Sequence, residues 1–298
     1  MKEKLIKLED KFEKKRWPYV LSLPFFWFLT FYIAIKKAIY RALGKPKPKI
    51  NSFWFDGLGK WTRKVKEGAA SWKALDIIYN HPFNAKKGIS GRVDHFWWSI
   101  QNCQAIRNRY KLVKKEVRKA IQKFANRKEV RLISLACGSA QAVIEIMSEF
   151  KSQGLIVKTL LVDIDQEALN YARGLAEENG VIDQIDIRKS NILKIVKIAS
   201  DFKPQIIEML GLLDYIENKL AIRLIQRIYE SLGEEGIFLT CNIAPNIERN
   251  FVTQVINWPM VYRKPKELSE IIEKSGFSDF KLVYEPLKIH GLVIAQKT

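Results

Sequence analysis

Two short stretches of this chain carry the residue types of a ligand site. Residues 130–142 read VRLISLACGSAQA, and residues 159–169 read TLLVDIDQEAL. The first is an apolar run followed by small residues, Ala136, Cys137, Gly138, Ser139 and Ala140, and then a helix start. A turn with so little side-chain bulk lets a ligand approach the backbone closely. The second run ends on Asp163, 25 residues after Gly138. An acidic residue closing the second strand can accept hydrogen bonds from the hydroxyls of a ribose. Helix capping is the other role open to it, although Asp165 stands better for that. A dinucleotide site calls for G-x-G-x-x-G, so that a pyrophosphate can rest on the helix N-terminus. Only Gly138 is a glycine here, which fits a ligand with a ribose and no phosphates.

Other candidates follow later apolar runs. Ser190, Asn191 and Ile192 end the third run, where Asn191 can accept a hydrogen bond through its side-chain oxygen or cap a turn. Residues 208–215, EMLGLLDY, end the fourth. There Gly211 would let backbone approach a cofactor, and Asp214 and Tyr215 could contact an acceptor or move a proton. A helix start with an aspartate cap reads equally from the same residues. Glu208 is a second candidate base. Beyond the fifth run stand Asn242, Asn246 and Arg249, then Trp258, Tyr262 and Arg263. Two arginines with two aromatics could bind a carboxylate, since guanidinium pairs with it bidentately; an ordinary surface loop is the alternative. His95 lies beside Asp94 and reads as structural.

The elements that must position these residues alternate. Strand-like runs at 130–136, 159–164, 184–190, 204–210 and 236–243 are separated by helical patterns near 140–152, 166–178 and 218–232. A helix near 266–275 precedes two final runs, 280–286 and 287–297. This predicts an α/β fold: a Rossmann-like, mostly parallel seven-stranded sheet with helices on both faces, closed by an antiparallel pair. Before it, residues 94–123 carry apolar positions at helical spacing. The domain reading is therefore 1–50 as a basic and apolar N-terminal segment and linker, 51–128 as a helical lead-in, and 129–298 as the α/β domain.

The chain has 298 residues, with three cysteines, Cys103, Cys137 and Cys241, and three histidines, none of them clustered. No disulfide framework and no metal site is expected. Net charge is +19, of which +9 falls in residues 1–50. Half the excess in a sixth of the chain points to an anionic partner, a membrane surface or a nucleic acid. Residues 17–35, WPYVLSLPFFWFLTFYIAI, are 19 in a row without charge, with basic flanks. That length suits a membrane span, and the more basic later flank would keep the following domain cytoplasmic. Pro18, Pro24 and the many aromatics suit a re-entrant or interfacial anchor as well. A buried aromatic helix is the remaining reading. A cleaved signal peptide is not expected, because a basic run stands where a small-residue cleavage site would.

The order strand, A-C-G turn, helix, strand ending V-D resembles the class I S-adenosylmethionine-dependent methyltransferases, from about residue 130 onward. The resemblance implies S-adenosylmethionine as cofactor. The turn Ala136, Cys137, Gly138, Ser139 would lie against its methionine part, Asp163 with Ile164 would hold its ribose side, and Asn191 with Ile192 would read its adenine. The turn departs from the family pattern at Ser134, where an acid is usual, and at Ala136 and Ala140, where glycines are usual. The runs GLLDY, NIAPN and WPMVYR, with GF at Gly276 and Phe277, look like a bacterial subgroup associated with 3-hydroxypalmitic acid methyl ester synthesis. That implies an acyl-chain carboxylate acceptor, with Asp214 and Tyr215 at the reacting centre and Asn242, Arg249, Tyr262 and Arg263 on the acceptor.

The sequence therefore favours methyl transfer to a lipid or fatty-acid-like small molecule at the cytoplasmic membrane. An RNA methyltransferase is the alternative enzyme, less favoured because the densest basic stretches flank an apolar run rather than stacking aromatics. A non-catalytic scaffold of the same fold is the third reading, motivated by the glycine-poor turn.

Overall fold

A computed structural model of the chain describes residues 12–14, 17–48, 59–80 and 88–298. The calls on Lys49 at the end of the linker and on residues 51–58 and 81–87, His81 included, lie outside the described residues. The chain forms two compact units. The first is Met1–Asn108 with Pro245–Met260, and the second is Arg109–Ala244 with Val261–Thr298.

The second unit is built on one seven-stranded sheet. Its strands are β1 (Glu129–Leu135), β2 (Ile156–Asp163), β3 (Ile185–Lys189), β4 (Ile206–Met209), β5 (Ile237–Ile243), β6 (Asp279–Tyr284) and β7 (His290–Gln296), in the order β3-β2-β1-β4-β5-β7-β6. Pairing is parallel from β3 to β5. β7 runs antiparallel to both β5 and β6. The central strands β4 and β5 are buried along their whole length, as expected of strands covered on both faces. The order reverses between β1 and β4, and a ligand crevice opens outside the carboxyl ends of the strands at such a point. One face of the sheet packs Ile133, Leu135, Ile207, Phe238 and Val293 against helices Asn218–Ser231 and Pro265–Lys274. Phe238 stacks on Phe277 at 5.8 Å, and Tyr229 meets Phe277 edge-on at 5.0 Å. Truncating a side chain such as Leu135 to alanine would cost about 2–5 kcal/mol.

The first unit is helical. Helix α1 (Trp17–Ala42) is followed by α2 (Lys60–Glu67), α3 (Trp72–Asn80), α4 (Ile89–Trp98) and α5 (Gln101–Lys123), the last continuing into the second unit from Arg109. The helical spacing over 94–123 is met by two helices, α4 and α5, separated at Ser99 and Ile100. The core of this unit is aromatic. Phe26 meets Phe251 at 4.6 Å and Trp97 at 5.5 Å, and Trp97 stacks on Phe251 at 5.6 Å with 5° between the rings. Residues 245–260 supply Phe251, Val252, Val255, Ile256 and Trp258 to it. They form a short helical turn, Arg249–Phe251, and a π-helix, Val252–Ile256. The buried Glu248 carboxylate accepts from Gln101 N at 2.9 Å and Asn102 N at 2.7 Å. It thus satisfies orphan donors at the start of α5 and sets a negative charge against the helix dipole.

α1 is packed along one side and exposed along the other. Phe26 and Ile33 are buried in the unit's core, while Leu21, Phe25, Trp27, Phe28, Phe31, Tyr32, Ile35 and Ile39 are exposed. Among the described residues it is the one helix long and apolar enough to cross a membrane, by length and composition.

Candidate active site

The turn after β1 holds three residues in the left-handed region within five positions: Ala136 (φ 48°), Gly138 (φ 54°) and Ala140 (φ 49°). Two carry a Cβ, which that conformation disfavours by roughly 1–2 kcal/mol per residue. Asp163 offsets some of this. Its Oδ2 accepts from Gly138 N at 2.9 Å and its Oδ1 from Asp165 N at 2.9 Å. A carboxylate has about four acceptor positions, so the two amides leave room for hydroxyl donors. Cys137 N also donates to Val162 O at 3.2 Å, tying the turn to β2. The Cys137 thiol is pushed well up by burial and by the charges of Asp163 and Glu208, which keeps it a neutral lining group. Asp165 caps the next helix through Glu167 N at 2.9 Å, so Asp163 is not used for that.

Ile164 is 68% exposed beside Asp163 and offers an apolar ledge. Asn191 is exposed, and its Oδ1 accepts from Leu193 N at 2.9 Å. One of its two acceptor positions thus serves as a turn cap, with Ile192 half-buried next to it. Gly211 follows β4 at φ 86°, and the nearest atom a Cβ would meet there is Arg109 Nη1 at 3.9 Å.

Asp214 lies buried. Its Oδ1 accepts from Asn242 Nδ2 at 2.5 Å and Ile243 N at 2.8 Å, and its Oδ2 is 3.8 Å from Arg109 Nη1. Burial pushes its carboxyl up, against the pull of Arg109 and Asn242. Arg263 is buried as well. Its guanidinium donates to Leu213 O at 2.6 Å, Ile216 O at 2.5 Å, Asn218 Oδ1 at 2.8 Å and Asn242 Oδ1 at 2.9 Å. These bonds spend the fork on the turn Leu212–Tyr215, so bracing is what its geometry supports, in place of carboxylate binding. Asn242 likewise joins Asp214 to Val261 O and Arg263. Tyr215 is 42% exposed and Tyr262 half-buried. Arg249 is exposed and belongs to the first unit, and Trp258 is buried in that unit's aromatic core. The expected cluster of two arginines and two aromatics is thus divided between two units.

The second candidate base is placed by the sheet, and two further groups, His290 and Arg109, escaped the sequence reading. Glu208 on β4 accepts a hydrogen bond from the Ser134 hydroxyl on β1, its register partner. Burial pushes its carboxyl up to about 7. His290, at the start of β7, is buried, and neither ring nitrogen meets a protein hydrogen-bond partner. Burial, then the charge of Arg109, lowers its pKa well below the usual value. Arg109 itself, on α5, is the cation shared by Asp214, His290 and Cys241. Nothing local in the sequence marks Arg109; only the helix register brings it to the sheet. Among the described residues no three His, Cys, Asp or Glu side chains group as for a metal ion.

The strand order, the tight turn after β1 and the acid ending β2 define a class I methyltransferase fold. The family described as "Putative methyltransferase" matches residues 34–297, and the chain belongs to it. A possible exported protein from Bordetella parapertussis has a similar structure, with TM-score 0.64, 14% identity, and 90% of this chain and 95% of that one covered. Magnesium protoporphyrin IX methyltransferase from Synechocystis PCC 6803, solved with bound S-adenosylhomocysteine, aligns with TM-score 0.52 and 11% identity over 75% of this chain and 97% of that one. At such identities the likeness is one of fold. No curated protein matches the sequence significantly.

Proposed function

We propose that the protein transfers a methyl group from S-adenosylmethionine to a lipid or fatty-acid-like small molecule at the cytoplasmic face of a membrane, with a carboxylate as the favoured acceptor. The observation that carries this reading is the Asp163–Gly138 pairing at the carboxyl ends of β1 and β2, in a chain of a methyltransferase family. The donor set fits the cofactor. Asp163 keeps acceptor capacity for ribose hydroxyls, Ile164 offers an exposed apolar neighbour for a base, and the small side chains of residues 136–139 put little bulk in the way of the methionine part. The cofactor supplies a methyl group already activated on a sulfonium.

The chain's own task is to hold an acceptor in line and keep water away, which is proximity catalysis worth up to about 7–11 kcal/mol. Gly211 leaves space next to Arg109. Asp214, Asn242 and Arg263 fix the turn that presents Tyr215. A carboxylate acceptor is ionised at pH 7 and needs no general base. For a hydroxyl or amine acceptor, Glu208 is a group poised near neutrality. The resemblance to the 3-hydroxypalmitic acid methyl ester subgroup supports an acyl carboxylate, and so do the exposed apolar side chains of α1.

The test is transfer of radioactive methyl from S-adenosylmethionine into extracts of host cells. The expected result is label in the organic phase, lost with Asp163→Ala. Label confined to a nuclease-sensitive aqueous fraction would replace the lipid acceptor by RNA, and absence of cofactor binding at millimolar concentration would leave a scaffold.

A further inference from the structure

Helix α1 has two apolar faces. Phe26 and Ile33, with Leu23 and Leu29 partly, are packed into the first unit's core. Further along, Lys37 Nζ donates to Gln254 O at 2.9 Å. The opposite stripe, Leu21, Phe25, Phe28, Tyr32, Ile35 and Ile39, follows the i, i+4, i+7 spacing of one helix face and is exposed, Leu21 by 81% and Phe28 by 67%. It runs for about 27 Å. A contiguous apolar surface of this extent marks a protein or membrane contact.

Charge decides between them. The first unit's sequence holds 23 Lys and Arg against 9 Asp and Glu, so +14 of the chain's +19. Lys45, Lys47 and Arg41 are exposed just after the stripe, and Lys37 feels the charges of Lys47 and Lys66. A second copy would bring the same positive charge to the contact, whereas an anionic bilayer brings the opposite one. Spanning is opposed by the packed face. A helix crossing the bilayer would have to strip Phe26, Ile33 and Lys37 from their partners.

We propose that α1 lies in the plane of an anionic membrane, its stripe from Leu21 to Ile39 in the headgroup–acyl boundary and its Phe26–Ile33 face still on the protein. This rests on the membrane part of the function proposed above and specifies how contact is made. The pattern is that of an interfacial helix whose second face is protein instead of water.

The full-length protein is floated with phosphatidylcholine vesicles, with and without phosphatidylglycerol. Binding is expected to the anionic vesicles, to fall about fivefold for each of Lys45→Gln and Lys47→Gln, and to vanish in Phe28→Asp with Ile35→Asp. Those side chains are exposed, so the melting temperature should hold. Nitroxides on Leu21→Cys and Ile39→Cys then report depth. The native Cys103, Cys137 and Cys241 thiols are all raised in pKa by burial, so they label slowly at pH 7. Equal shallow depth at both sites supports an in-plane helix. Sites on opposite sides of the bilayer overturn it in favour of a span. No vesicle binding, with dimers that Phe28→Asp dissociates, overturns it in favour of a second copy. Radioactive methyl in the organic phase, lost with Asp163→Ala, would survive either failure, so failure of the in-plane helix and failure of the methyl-transfer reading are distinguishable.

Discussion

The Ser134 hydroxyl donates to the Glu208 carboxylate across paired positions of β1 and β4. The acid expected on β1 before the turn is a serine, and the neighbouring strand supplies a carboxyl group to the same spot. The carboxyl is fully buried, and its pKa stands near 7 against 4.5 for the free group.

That shift has a sign that can be measured. The folded protein holds the Glu208 proton more tightly than the unfolded chain, so the stability contributed by this group is full below about pH 4.5 and is lost as pH rises toward 7. The loss is about 3 kcal/mol at most. Glu208→Gln keeps a partner for Ser134 and carries no charge. Urea unfolding should show its advantage over the parent growing between pH 4.5 and 7. A gap independent of pH would show that the carboxyl is not buried as described.

His290 should act in the opposite direction. Its folded pKa is lowered by burial and then by Arg109, so the unfolded chain gains the proton first. Stability is lost as pH falls through about 6.5. His290→Gln should flatten the decline between pH 7 and 5 in the same unfolding series. An unchanged acid limb would contradict the buried neutral imidazole.

Asp163→Ala removes the acceptor of the Gly138 amide and the carboxylate proposed to hold the ribose. Calorimetric titration with S-adenosylhomocysteine should find affinity lower by about 10–100-fold, the worth of one charged hydrogen bond. Unaltered affinity would remove Asp163 from the cofactor site.

Arg263 separates bracing from acceptor binding. Arg263→Ala leaves the carbonyls of Leu213 and Ile216 without their donor and should cost about 3–5 kcal/mol in denaturant unfolding. Arg263→Lys should recover little, because an ammonium cannot reach acceptors placed for a fork. A raised KM with unchanged stability would instead favour acceptor binding.

Ala136 and Ala140 hold left-handed backbone with a methyl group attached. Ala140→Gly should raise the unfolding free energy by up to about 1 kcal/mol if relief of strain outweighs the added chain entropy. A loss of stability would mean that the methyl is well packed.

The sheet was legible because its signals are local. An apolar strand of four to eight residues, a capping Asp165 and a turn of small residues each declare themselves within a few positions, and β1 to β5 lie within a few residues of where the pattern placed them. The acceptor side was less legible. Arg263 and Arg249 read alike as free cations, yet one is buried among carbonyls and the other is exposed. The apolar positions Phe251, Val252, Val255 and Ile256 belong to the first unit's core and were not read from the sequence. Their partners Phe26 and Trp97 stand 154 or more residues earlier, and no local pattern spans that separation.

That separation has a consequence during synthesis. Phe26 leaves the ribosome 225 residues before Phe251, against which it packs. At about 5–20 residues per second, the interval is about 10–45 s. For that time α1 shows its stripe and, in part, its inner face, because Phe96 and Trp97 are made but Phe251 is not. The nascent helix then exposes apolar surface that the finished protein buries under Phe251. A bilayer or a chaperone meeting it in that window would compete with the protein's own core for the same face of the helix.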